Sequence, residues 1–298
     1  MNILLNPNHQ LRSGLKFLAF VILFIIVWVA AGIGLSVIYA RSILPETDLT
    51  FLYLNEFALF TAAVGALFIS IRFVDHRPLR VFGIGFLPKW PIQLGAGLAL
   101  AGLMVATLVA GCLIFGHINL RWSGRQFPAS TILATFALLL LAAATEELVF
   151  RGFPLQILAE AMGPWPAVVA MSVLFGAMHR GNPGASLQST INTVVAGMLL
   201  SLAYLRSRSL WLSYGIHLGW NLGLGFVLGF PLSGLHLASL WTINITGSNA
   251  ILGGAYGPEG GWLGTFIFAT AAVIISCSTS IHPSTRGYRG AGEHQFEE

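Results

Sequence analysis

Charge is what this chain lacks. Of its 298 residues only 9% are charged, while 56% are hydrophobic and the mean hydropathy is +0.79. A soluble domain carries about a quarter charged residues, so that balance excludes one. Cysteine is as scarce: Cys112 and Cys277 both lie inside apolar segments, which argues against a disulfide framework or a zinc–thiolate site. Nothing spells H-E-x-x-H, so an ordinary zincin helix is excluded as well. No internal repeat is evident. The formal net charge of +4 does not imply nucleic acid, because the basic residues sit in the joints between apolar runs, where they set the orientation of spans.

What the chain has is long apolar runs joined by short polar pieces. In lipid each span must satisfy its own backbone hydrogen bonds, and a helix does so. With about 20 apolar residues needed per crossing, helices are expected at 17–40, 50–74, 91–116, 129–158, 165–180, 187–206, 209–229 and 261–278. The fold class is therefore an all-α integral membrane protein of about eight transmembrane helices enclosing a polar intramembrane site. Its parts are a cytoplasmic N-terminus over 1–16, a single polytopic domain over 17–278, and a polar, flexible tail over 279–298. Arg12 and Lys16 precede an apolar run too long for a signal peptide, so that run reads as the first span. The piece "RGFPLQILAEAMG" is amphipathic and contains Pro154, so the fourth span is expected to end in an interfacial segment.

Orientation follows from the basic residues. Arg12, Lys16, Arg72, Arg77, Arg80, Lys89, Arg151, Arg206, Arg208, Arg286 and Arg289 fall on one side; Arg41, Arg121, Arg125 and Arg180 fall on the other. The excess places both termini in the cytoplasm. The stretch "GAGLALAGLMVATLVAG" spaces small residues so that helices can approach closely. The joint "TGSNAILGGAYGPEGG" has no Lys or Arg and reads as an external loop.

A few ionisable groups fall within the spans: Glu56, Glu146, Glu147, His179 and His217. A charge there is costly unless it is paired, wet or neutralised, so each needs a reason. Glu56 is near an interface, where a solvated structural role weighs as much as a functional one. Glu147 and Arg151, four apart with the acid first, make a favourable helical ion pair. Glu146 points roughly 100° away around the helix, with no local cation. Phe175 and His179 share one helix face, as do His217 and Asn221; taken singly, each pair fits a packed core or an interhelical hydrogen bond. Together, a carboxylate, two imidazoles and an amide on three helices can bind and polarise a water, directly or on Zn²⁺, and stabilise an oxyanion.

These residues resemble the motifs of a known family, the CPBP intramembrane endopeptidases, which include the CAAX prenyl proteases and bacterial proteins of bacteriocin processing and self-immunity. Glu146-Glu147-x-x-x-Arg151, Phe175-x-x-x-His179 and His217-x-x-x-Asn221 occur in the family's order. Softer similarities in "HRPLRVFGIGF" and "GGAYGPEGG" extend the resemblance over about 50–278. It implies a membrane hydrolase cleaving a membrane-associated or lipidated peptide or protein, in contact with membrane lipid and with no nucleic-acid partner. By motif position Glu146 would be the general base, with His179 sharing the activation of water. His217 and Asn221 would bind the water or metal or stabilise the oxyanion, and Glu147, Arg151 and Phe175 would support them. Glu146, His179 and His217 would be the ligands if a metal such as Zn²⁺ is used, and no other cofactor is implied. The chain's compactness fits a bacterial protein of the inner membrane. Two other classes compete: an ion- or proton-coupled transporter, and a non-catalytic immunity or scaffold protein. Depth poses one difficulty, since His179, near the far end of 165–180, is expected deeper than Glu146 and His217.

Overall fold

A computed structural model describes residues 4, 11–40, 48–86, 88–123, 127–279 and 281. The tail beyond 281, Arg41 and Arg125 lie outside the described residues. The described chain runs as α1 (Ser13–Ala40), α2 (Asp48–Ile69), α3 (Trp90–Phe115), α4 (Ala129–Phe150), α5 (Gly152–Met162), α6 (Pro164–Met178), α7 (Leu187–Ser207), α8 (Leu210–Asn221), α9 (Asn249–Leu252) and α10 (Trp262–Cys277). A π-helical stretch extends α2 to Asp75 and another extends α8 to Leu228. Five segments, Ser13–Ile38, Thr50–Asp75, Trp90–Phe115, Ala129–Met162 and Leu187–Ser207, are long and apolar enough to cross a membrane. The expected span at 209–229 is α8 with its π-helical extension, whereas those at 165–180 and 261–278 are the shorter helices α6 and α10.

The fourth expected span is two helices. Arg151 leaves helical geometry at φ −122° and ψ −155°, and Gly152 takes φ +51°, a left-handed value that a side chain would strain. Pro154, which has no N–H to give back to α4, can then sit in the first turn of α5. The break is held from outside. The Tyr204 hydroxyl of α7 lies 3.1 Å from the carbonyls of Phe82 and Gly152 and 3.0 Å from Gln156 Oε1.

Helix packing uses the small residues visible in the sequence. A Cβ on Gly97 of α3 would lie 2.5 Å from the Leu212 carbonyl oxygen, and one on Gly215 of α8 would lie 2.6 Å from the Leu94 carbonyl oxygen. The two backbones therefore touch directly, as glycine permits and as lipid, which gives no solvophobic drive, rewards through van der Waals contact. Behind them Met104, Leu108, Ile216, Trp220 and Phe268 form one continuous core with α7 and α10.

Two strands depart from the all-helical expectation. β1 (Gly116–Trp122) pairs antiparallel with β2 (Trp241–Gly247), Trp122 opposite Trp241 with ring centroids 5.1 Å apart. Both "HINLRW" and "WTINITG" alternate polar and apolar residues, the period of a strand, a signal that the high overall hydropathy masks.

Candidate functional site

Glu146 and Glu147 stand in the last turn before the α4 break, and helical geometry sends them to different partners. Glu147 is buried, its side chain 2% exposed, with Oε1 3.2 Å from Arg151 Nη1 and 3.0 Å from His217 Nδ1. Arg151 is as fully buried and lies over Phe175, its Cζ 4.5 Å from the ring centroid. That stacking covers the poorly hydrated face of a guanidinium, which suits Arg and not Lys.

Glu146 takes the other direction. Its Oε1 lies 3.8 Å from His179 Nε2 and its Oε2 3.5 Å from His217 Nε2. Both are too long for a direct hydrogen bond. The second nitrogen of each ring fixes its tautomer. His179 Nδ1 is 2.8 Å from the Phe175 carbonyl oxygen, which can only accept, so Nδ1 carries the proton. His217 Nδ1 faces the Glu147 carboxylate in the same way. In the neutral rings both Nε2 atoms therefore turn lone pairs toward Glu146, and such an arrangement calls for a proton donor among them.

The hairpin of α5 and α6 explains how His179 reaches this level. Gly163, at φ +91°, turns the chain almost midway between Glu146 and His179, so the two arms return the histidine to the height of the carboxylate. The expected greater depth of His179 is thus corrected. The 3.8 Å approach of His179 Nε2 to Glu146 Oε1 puts the two groups at one level.

A cavity of about 400 Å³ is lined by Glu146, His179, His217, Asn221 and Phe175, together with Glu56, Asn182, Ser233 and Glu259. All four residues expected to carry chemistry thus share one cavity, while Glu147 and Arg151 stand behind them. Among the described residues, no three His, Cys, Asp or Glu side chains are grouped so as to hold a metal ion. Glu56 Oε1 and Glu146 Oε2 are buried with no hydrogen-bond partner.

Sequence reasoning missed Glu259, because its glycine-rich surroundings read as an external loop. Its carboxylate instead accepts from Trp220 Nε1 at 2.8 Å and from Ser233 N and Oγ at 2.6 and 2.7 Å. The one signal available was a lone acid in a segment otherwise without charge.

No curated protein matches the chain. Residues 128–223 match the model of a family described as Rce1-like, type II CAAX prenyl endopeptidase. That segment runs from the start of α4 to just past α8 and contains Glu146, Glu147, Arg151, Phe175, His179, His217 and Asn221. Over this segment, about a third of the chain, the membrane protein described here is similar to the type II CAAX prenyl endopeptidases.

Proposed function

We propose that this protein is an intramembrane endopeptidase that hydrolyses a peptide bond of a membrane-associated, lipid-modified peptide or protein, with Glu146 as its general base. The observation that carries this reading is the Glu146 carboxylate set between two imidazole Nε2 atoms at 3.5 and 3.8 Å inside a cavity. A water held there donates one hydrogen to Glu146 and points its oxygen at a substrate carbonyl carbon. As the new C–O bond forms, the water's proton passes to Glu146. The carbonyl oxygen takes the electron pair and is met by the Asn221 amide, and by His217 once its Nε2 carries a proton. Collapse of the tetrahedral centre breaks the C–N bond, and the proton returns from Glu146, with His179 assisting, to the leaving nitrogen.

Glu147 fixes the tautomer and direction of His217, and Arg151 on Phe175 fixes Glu147. Glu146, His179 and His217 would be the residues to hold a metal such as Zn²⁺ if one is used, and it would supply Lewis-acid activation of the same water.

The test is cleavage of a farnesylated CAAX peptide by the purified protein in detergent, followed by mass spectrometry. Glu146→Ala and His179→Ala, each folded by size-exclusion chromatography, are expected to lose at least roughly 10²-fold in rate, the usual worth of a positioned acid or base. Cleavage at the unaltered rate by both variants would sink the proposal. Metal analysis of the active protein beside its Glu146→Ala variant separates a carboxylate-only mechanism from a metal-assisted one.

A further inference from the structure

Glu259 lies outside the matched segment 128–223 and outside the three motifs, yet its carboxylate is among the most constrained groups in the cavity wall. One oxygen accepts from Trp220 Nε1 and the other from both the backbone N and the hydroxyl of Ser233. Three donors converging on one carboxylate hold it fixed. Trp220 immediately precedes Asn221 on α8, and Ser233 occupies a left-handed conformation, φ +47°, in the turn closed by reciprocal Leu232–Leu235 backbone bonds. A non-glycine residue holds such a conformation only where its surroundings impose it, and such positions cluster at sites of function.

The segment bearing Glu259 is itself immobilised. Asn192 Nδ2 of α7 donates to the carbonyls of Glu259 and Gly261 at 2.7 and 2.8 Å, and Thr265 Oγ1 of α10 donates to Asn192 Oδ1 at 2.6 Å. Gly257, at φ +95°, brings the strap so close to the 230–234 turn that a Cβ would lie 2.0 Å from the Pro231 carbonyl oxygen. A carboxyl group is thus delivered by a rigid strap to two wall residues, Trp220 and Ser233, beside His217 and Asn221. Neither Trp220 nor Ser233 has a hydrogen-bonding need large enough to require a carboxylate for stability alone, since neutral acceptors serve both donors.

We infer that Glu259 is a positioning residue of the endopeptidase. By clamping Trp220 and the Ser233 turn, it shapes the wall against which the substrate peptide lies and so sets which bond is presented to Glu146. This inference rests on the proposed function. It assigns Glu259 to substrate placement and leaves the proton-transfer steps to Glu146 and His179.

Glu259→Gln is the informative variant, because its amide keeps one acceptor oxygen but turns a donor toward either Ser233 N–H or Trp220 Nε1–H. Expected are a KM raised roughly 10-fold, kcat within roughly threefold of the parent, and a mixture of cleavage positions by mass spectrometry, the pattern of lost uniform binding. Trp220→Phe removes one of the three donors, so adding it to Glu259→Gln is expected to cost less than its effect in the parent, a non-additivity that marks direct coupling. Binding of the farnesylated peptide, measured by fluorescence anisotropy in the Glu146→Ala background, should likewise weaken roughly 10-fold when Glu259→Gln is added.

If the parent cleaves no peptide while the anisotropy difference persists, the proposed hydrolysis fails and the placement role stands. If the parent cleaves and Glu146→Ala does not, but Glu259→Gln matches the parent in KM, cleavage position and binding, the placement role is overturned alone. Should Glu259→Gln not fold, Ser233→Ala, which removes one of the three donors and no charge, must shift KM in the same direction; an unchanged KM there overturns the inference.

Discussion

Arg151 shows what a single buried residue asks of its surroundings. Its guanidinium is 1% exposed, meets Glu147 at 3.2 Å and rests on the Phe175 ring. Removing one partner of such a pair leaves the other charged and dry, which typically costs about 3–5 kcal/mol. Arg151→Leu is therefore expected to lower the thermal midpoint of the detergent-solubilised protein sharply. Glu147→Gln should lose less, because its amide oxygen can still accept. Arg151→Lys should not restore the parent midpoint, since an ammonium neither stacks on Phe175 nor forks. A midpoint for Arg151→Leu within a degree or two of the parent would refute this account. The pairing of Glu147 with Arg151 was legible in the sequence, because four residues is one helical turn. That Glu147 also holds His217 was not, since α4 and α8 are separated by long stretches of chain and only the fold joins them. The same holds for Glu259, whose partners Trp220 and Ser233 lie on other elements.

At the scale of elements, α8 matters because it carries His217 and Asn221 together, and its position is set by backbone contact with α3. Gly215→Ala puts a methyl group 2.6 Å from the Leu94 carbonyl oxygen, and neither backbone can yield without moving the helix. Overpacking of this kind typically costs about 1–3 kcal/mol. The expected result is a lower thermal midpoint together with a loss of cleavage, as His217 is shifted away from Glu146. Gly95→Ala, in the same α3 helix but with nothing within 4 Å of its added Cβ, is the control and should change neither. If both variants behave alike, the contact does not govern the site. The stripe of small residues on α3 was visible in the sequence, but not the helix it meets, because a pattern of glycines records closeness and not the partner. The break between α4 and α5 was legible in part, through "RGFP". Its effect on the height of His179 was not, because that depends on the turn at Gly163 and on the two hairpin arms together.

For the whole molecule, contacts between distant segments sort the chain ends of the helices onto two faces. On one, Lys16 at the start of α1 and Arg77 after α2 both reach Asp75, Arg77 also grips Glu160 of α5 at 2.7 Å, and Arg206 of α7 meets the Ser278 carbonyl after α10. Trp211 Nε1, at the start of α8, donates to the Gly85 carbonyl on this same face. On the other face β1, which follows α3, pairs with β2, which follows α8. This sorting is what alternating crossings require, and it is independent of any count of charges. Lys16, Arg72, Arg77, Arg80, Lys89 and Arg206 gather on the first face and Arg121 on the second, so by the positive-inside rule the first is expected to be cytoplasmic, which labelling tests. In a Cys277→Ser background, with Cys112 buried and silent, Trp122→Cys should react with a membrane-impermeant maleimide on intact cells. Leu79→Cys, exposed on the opposite face, should react only after permeabilisation. The reverse pattern would invert the orientation while leaving the fold intact, and labelling of both positions on intact cells would contradict the two-faced arrangement itself.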